Sequence, residues 1–149
     1  MGGIVLLIGR IVFSYFFIYS GFNHLTKLSQ YAQYAGGSGV PAPTVLTAVS
    51  GVMLLAGGLS ILLGVMPRWG ALLIAIFLVT AAFTIHKFWG ISDPMMAANQ
   101  AAQFWKNISL AGACLIVFGF ASMYPARWPY SVGSGGGREA APSASGSIG

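Results

Sequence analysis

The sequence predicts an all-α integral membrane protein, a bundle of four transmembrane helices, and three observations carry that prediction. Only 6% of the residues are charged while 56% are hydrophobic, giving a mean hydropathy of +0.79. A soluble domain carries about 25% charged residues, so water cannot be the solvent for most of this surface. Four apolar runs fill nearly all of the chain before Tyr124, each close to the ~20 residues that cross a bilayer as a helix. The breaks between them are rich in Gly and Pro, which stop helices. The organisation is one membrane domain over about 1–130, with helices at about 3–22, 44–65, 70–88 and 104–123, and a flexible Gly/Ser/Ala-rich tail over about 131–149.

The first run begins at Gly3 with no Lys or Arg before it. A secretory signal has a positive segment ahead of a shorter apolar core, so this run is expected to be a retained helix. Arg10, Ser14, Phe17, Gly21 and His24 recur at i, i+4, i+7, i+11 and i+14 and share one face. That small and polar face should point into the bundle, because lipid accepts the bulky apolar side chains instead. Arg10 either snorkels to the interface or is an interior polar group with Ser14.

From Leu25 to Tyr34 the composition turns semi-polar at helical spacing, which predicts a short amphipathic helix at the interface. Gly36-Gly37-Ser38-Gly39 ends it, and Pro41 and Pro43 precede the second span. In that span Ala56, Ser60 and Gly64 have small-xxx-small spacing, the mark of a helix-packing seam. Met66 to Trp69 is too short for anything but an antiparallel hairpin into the third span. Gly90 to Pro94 stops that span, and Met95 to Gln103 is a surface turn or the first turns of the fourth helix. On the fourth helix Gln103, Asn107, Leu110 and Cys114 share a face.

With four spans, both termini and the Arg68 turn lie on one side. The positive residues divide almost evenly: Arg68, Arg127 and Arg138, with Arg10 near them, against Lys27, Lys87 and Lys106. Arg68 sits in the shortest loop, where the positive-inside rule is most dependable, so the termini are expected to be cytoplasmic. The net charge of +5 is scattered rather than gathered into a stripe, which argues against nucleic-acid binding.

This topology brings His24, His86, Lys87, Trp89, Gln103, Lys106 and Asn107 to one membrane face, with Tyr31, Tyr34 and Trp105 at similar depth. Polar groups inside aromatic walls suit an anionic or quinone-like headgroup. Trp, Tyr and Lys also collect at every interface as belts and anchors, and interhelical hydrogen bonding competes with ligand contact for His86 and Asn107. Two His and a distant lone Cys114 make no metal site. A haem held by His24 and His86 would lie at the bundle rim. The two acids of the chain include one in the tail, so neither a catalytic carboxylate pair nor an oriented Ser-His pair is available, and no catalytic residue is assigned.

Gly9-Arg10, Phe17, Gly21-Phe22-Asn23-His24, Gly39-Val40-Pro41, Gly57-Gly58 to Gly64 with Arg68, His86-Lys87-Phe88-Trp89 and Phe104-Trp105-Lys106-Asn107 with Gly112 together resemble the DoxX family of small four-helix membrane proteins. The resemblance implies a helical bundle in the bacterial cytoplasmic (inner) membrane. It also implies lipid contact, protein partners in a membrane-associated redox system, and quinone as the candidate cofactor; a homo-oligomer is a further expectation. Many members look to carry a Glu in the second helix before the paired glycines, whereas Val49 to Leu55 has no acid here. The functional expectation is an accessory, quinone- or lipid-interacting subunit. A structural or assembly protein and a small-solute carrier are the alternatives.

Overall fold

A computed structural model describes residues 2–124, 128 and 130–132. Its helices, in chain order, are α1 (Gly2–Thr26), α2 (Leu28–Gly37), α3 (Pro43–Leu63), α4 (Pro67–Thr84) and α5 (Pro94–Met123). Four of them, all but α2, are long and apolar enough to cross a membrane. Sequence neighbours run antiparallel: Gly21 meets Gly51 while Ser14 meets Gly58, and Gly57 meets Gly70. The end of α1, the start of α3, the end of α4 and the start of α5 therefore share one membrane face with α2. The α3–α4 turn and the end of α5 occupy the other.

The inward face of α1 buries Arg10, Ser14, Phe17 and Gly21, with Asn23 beside them; His24 is half-buried. Asn23 satisfies its amide within the helix, donating to Tyr19 O at 2.9 Å. Phe17 joins Leu54, Ile61, Ile74, Leu78 and Cys114 in the central core, all nearly inaccessible. The bulky side chains of α1 that face away, Ile8, Tyr15, Phe16 and Tyr19, are exposed. In a membrane these contact lipid tails without cost.

The close helix crossings are made mainly by glycines outside the predicted seam, of which Ser60 packs on Gly70 of α4. Ala56 faces outward. A Cβ on Gly21 would lie 2.7 Å from Gly51 O and from Leu55 N, and one on Gly57 would lie 2.8 Å from Gly70 O. Backbone touches backbone at these points, so α1 and α4 crowd opposite flanks of α3. Ser60 of the predicted seam, besides packing on Gly70, serves the turn: its hydroxyl donates to Val65 O at 2.6 Å. That contact braces Met66, whose φ of 47° lies in the left-handed region that costs an L-residue roughly 1–2 kcal/mol.

The fourth spanning helix starts at Pro94 rather than near 104, so that Met95 to Gln103 forms its first turns and not a surface turn. The reason is local. Asp93 is its N-cap, the carboxylate Oδ1 accepting Met96 N–H at 2.7 Å, and Pro94 sits at the first helical position, where its missing N–H does no harm. Asp93→Ala is expected to lower stability in detergent by about 1 kcal/mol, with Asp93→Asn close to the parent in the same thermal melt. A similar extension carries α1 to Thr26. Most of the tail expected beyond 131 lies outside the described residues, as do Arg127 and Arg138.

Candidate functional site

At the face shared by the α1 end and α2, a cavity of about 550 Å³ is walled by α2, the first half of α3, the second half of α4 and the residues that follow it. Its walls are mostly apolar. Leu46, Val49 and Ile76 line it, are 44%, 47% and 50% exposed, and lie on the stripes of α3 and α4 that also expose Val45, Val52, Leu73 and Phe83 outside the cavity, so it opens sideways between α3 and α4. α3 and α4 are tied together by their short turn and by the Gly57–Gly70 contact at the opposite face, which leaves them free to splay here. The amphipathic α2 buries Ala32 and Ala35 and roofs the space with Tyr31, Tyr34 and Ala35. It ends where Gly39 takes φ +84°, a conformation glycine adopts without strain.

Polar groups enter this apolar space at two points. At the inner wall, His24 Nδ1 lies 2.8 Å from Ser50 Oγ, and the Ser50 hydroxyl donates to Thr47 O at 2.8 Å. The imidazole is held by rings: Tyr31 at 4.4 Å and Phe77 at 5.9 Å between centroids. At the rim, α4 unwinds after Thr84, with Ile85 N–H and His86 N–H both donating to Ala81 O at 2.9 and 3.1 Å. The chain thereby turns His86 toward α5, where its Nδ1 lies 2.9 Å from Gln100 Oε1. Gln100 Nε2 in turn donates to Tyr34 OH at 3.4 Å, tying the roof to α5.

Of the residues the sequence gathers at this face, His24 and His86 line the cavity; Lys87, Trp89, Gln103, Lys106 and Asn107 do not. Lys87 is exposed. Trp89 belongs to an aromatic group with Phe83, Phe88 and Phe104. Lys106 donates to Gln103 Oε1 one turn away, and its ammonium lies 6.0 Å from the Phe16 ring centroid on α1. Asn107 is buried in the bundle. The α5 start is thus divided, because a helix shows only part of its circumference to any one cavity: Gln100 reaches His86 while Lys106 turns toward α1.

Ser50, Gln100 and Thr47 complete the site and were not singled out from sequence. A signal existed for two of them, since Thr47 and Ser50 are spaced i, i+3 near the start of α3 and so share a face. Tyr31 and Tyr34, expected as aromatic wall, are part of the roof. The two interior polar residues of α1 lie elsewhere. Ser14 is fully buried, and among the described residues its hydroxyl has no hydrogen-bond partner. Arg10 is buried at the far face, where its Nε donates to Ile61 O at 3.0 Å, another guanidinium nitrogen donates to Leu62 O, and the Trp128 ring centroid lies 5.4 Å away. Arg10 thereby closes the C-terminus of α3. Among the described residues no three His, Cys, Asp or Glu side chains come together as metal ligands do.

A family model described as DoxX matches residues 5–87. The chain is 31% identical over 114 residues to the inner membrane protein YphA of Escherichia coli (strain K12), an alignment covering 76% of this chain and 81% of that protein. It is likewise 31% identical over 114 residues to the inner membrane protein YqjF of the same organism, covering 74% and 79%. No solved structure matches the chain.

Proposed function

The chain belongs to the DoxX family, and from that premise we propose that it is a membrane-embedded binding subunit which holds the headgroup of a lipid-borne amphiphile, a quinone or a lipid, in the α2-roofed cavity. The same reading places it in the bacterial inner membrane, as its named relatives are, and makes it accessory to a redox system rather than catalytic by itself. One observation carries the proposal. An apolar cavity of about 550 Å³ opens sideways and places two half-buried imidazoles, His24 and His86, on its wall. An apolar pocket with a few fixed polar groups is the form a small-molecule site takes, and a sideways opening admits a molecule whose tail never leaves the bilayer.

The test is extraction in mild detergent followed by mass spectrometry of retained amphiphiles and co-purifying proteins. Parent protein is expected to retain a quinone or a defined lipid in near-stoichiometric amount. His24→Ala and His86→Ala should cut that retention about ten-fold, the loss expected when roughly 1.4 kcal/mol of polar contact is removed. Lys106→Ala, whose side chain lies outside the cavity, should leave retention unchanged. A parent protein that carries no amphiphile and takes none up from added vesicles would refute the binding role and favour a purely structural or assembly function.

A further inference from the structure

The hydrogen bonds around the two imidazoles specify more than their positions. A serine hydroxyl has one proton, and the 2.8 Å contacts of Ser50 Oγ to Thr47 O and to His24 Nδ1 are both hydrogen bonds only if that proton goes to the carbonyl, which can do nothing but accept. At 2.8 Å from His24 Nδ1, Ser50 Oγ can then only accept, so His24 carries its hydrogen on Nδ1. At the rim the same logic runs through an amide. Gln100 turns its NH2 toward Tyr34 OH, which leaves Oε1, an acceptor, facing His86 Nδ1 at 2.9 Å. His86 therefore also carries its hydrogen on Nδ1.

In a neutral imidazole the second nitrogen is then an acceptor with a free lone pair. Among the described residues no hydrogen bond engages Nε2 of either ring. The two tautomers are set by Ser50 on the α3 wall of the cavity and by Gln100 on α5 behind it, and both rings are left with the same polarity. The hydroxyls of Thr80 and Thr84, also on the wall, are able to donate or accept and so impose no polarity of their own; the Thr84 hydroxyl is already donating to Thr80 O at 2.7 Å.

We infer that the cavity is selective for ligands that donate hydrogen bonds through hydroxyl groups on an apolar body, and discriminates against the same framework carrying acceptors alone. For a quinone-type molecule this means the dihydroxy, reduced form over the dione; for a lipid it means a headgroup with free hydroxyls over an esterified one. The inference rests on the binding role proposed for this cavity and adds the sign of its polar recognition. The physical basis is asymmetric. A hydroxyl meeting an imidazole lone pair makes a bond, whereas a carbonyl or ether oxygen there sets acceptor against acceptor and leaves both unpaired in an apolar space, which is the costly outcome.

The experiment uses the full chain in lipid nanodiscs and four probes: an alkyl hydroquinone, the matching p-benzoquinone under non-reducing conditions, the hydroquinone dimethyl ether, and a monoacylglycerol of equal tail length. The hydroquinone is expected to bind about ten-fold tighter than the dione and the dimethyl ether. A monoacylglycerol that matches the hydroquinone supports the inference and identifies a lipid hydroxyl as the natural donor; one that binds like the dimethyl ether supports it with an aryl hydroxyl as the donor. His24→Phe keeps a ring against Tyr31 and Phe77 but removes the acceptor, and is expected to reduce the preference to about three-fold or less. Ser50→Ala, a smaller change that a folded protein tolerates more readily, frees the tautomer and should also narrow the preference. Equal affinity for hydroquinone and dimethyl ether in the parent overturns the inference while leaving the cavity as a binding site. Failure of all four probes to bind removes the binding role itself.

Discussion

Arg10→Ala is expected to destabilise the protein by about 3 kcal/mol, because it removes two charge-assisted hydrogen bonds from the end of α3. Arg10 is 3% exposed, and its guanidinium serves Ile61 O and Leu62 O at the end of α3. Those oxygens belong to the last turn of a helix, where the backbone offers Ile61 O only the long 3.3 Å bond from Gly64 N–H and where the macrodipole favours a cation. The residues after α5 close over the same point: Val132 N–H donates to Leu63 O at 2.9 Å, and Trp128 lies beside the guanidinium. Gly64 completes the arrangement, since a Cβ there would come within 2.9 Å of an Arg10 guanidinium nitrogen.

The measurement is thermal unfolding in detergent, read by a fluorogenic thiol reagent. Cys114 is fully buried in the core and becomes reactive only when the bundle opens. Arg10→Lys, which keeps a charge but lacks the planar fork that reaches two carbonyls, should recover part of the loss. An Arg10→Ala protein that melts within a degree of the parent would show that the charge is dispensable.

The second large effect is expected at Gly21. Its added methyl would lie 2.7 Å from two backbone atoms of α3, Gly51 O and Leu55 N, and backbone cannot rotate aside as a side chain can. Gly21→Ala must therefore push α1 from α3, at a cost of about 1–3 kcal/mol for overpacking and with displacement of His24 one turn further on. The same melt should report the loss, and retention of amphiphile should fall with it. Gly112→Ala is the control. That site has open space around it, so its melting temperature is expected to match or slightly exceed the parent's. Equal behaviour of the two variants would mean that the close approach of α1 and α3 contributes nothing.

Much of the fold was legible in the sequence because membrane insertion is decided segment by segment. Apolar runs long enough to span, and the i, i+4, i+7 face of Arg10, Ser14, Phe17 and Gly21, are properties of one helix read alone. The candidate site was legible only in part. His24 and His86 are near the ends of spans that topology alone brings to one face, and they meet one cavity. Lys106 and Asn107 share that face of the membrane but not the cavity, because which side of α5 meets α4 and which meets α1 depends on how the helices are rotated. The seam shows a similar gap: of Ala56, Ser60 and Gly64, Ser60 meets Gly70 of α4 but Ala56 faces outward, and the remaining close crossings fall on Gly51, Gly57 and Gly58.

By itself, then, the sequence determined the solvent, the number of spans, their antiparallel order and the inward face of α1, all of which follow from local composition and helical period. The tertiary structure decided that Arg10 caps α3, that α3 and α4 part to form a cavity, and that Ser50 and Gln100 rather than Lys106 stand beside the imidazoles. Those outcomes depend on helix rotation and separation, and both are set where glycines on different helices let backbones touch, a relation between distant residues that no single periodic pattern contains.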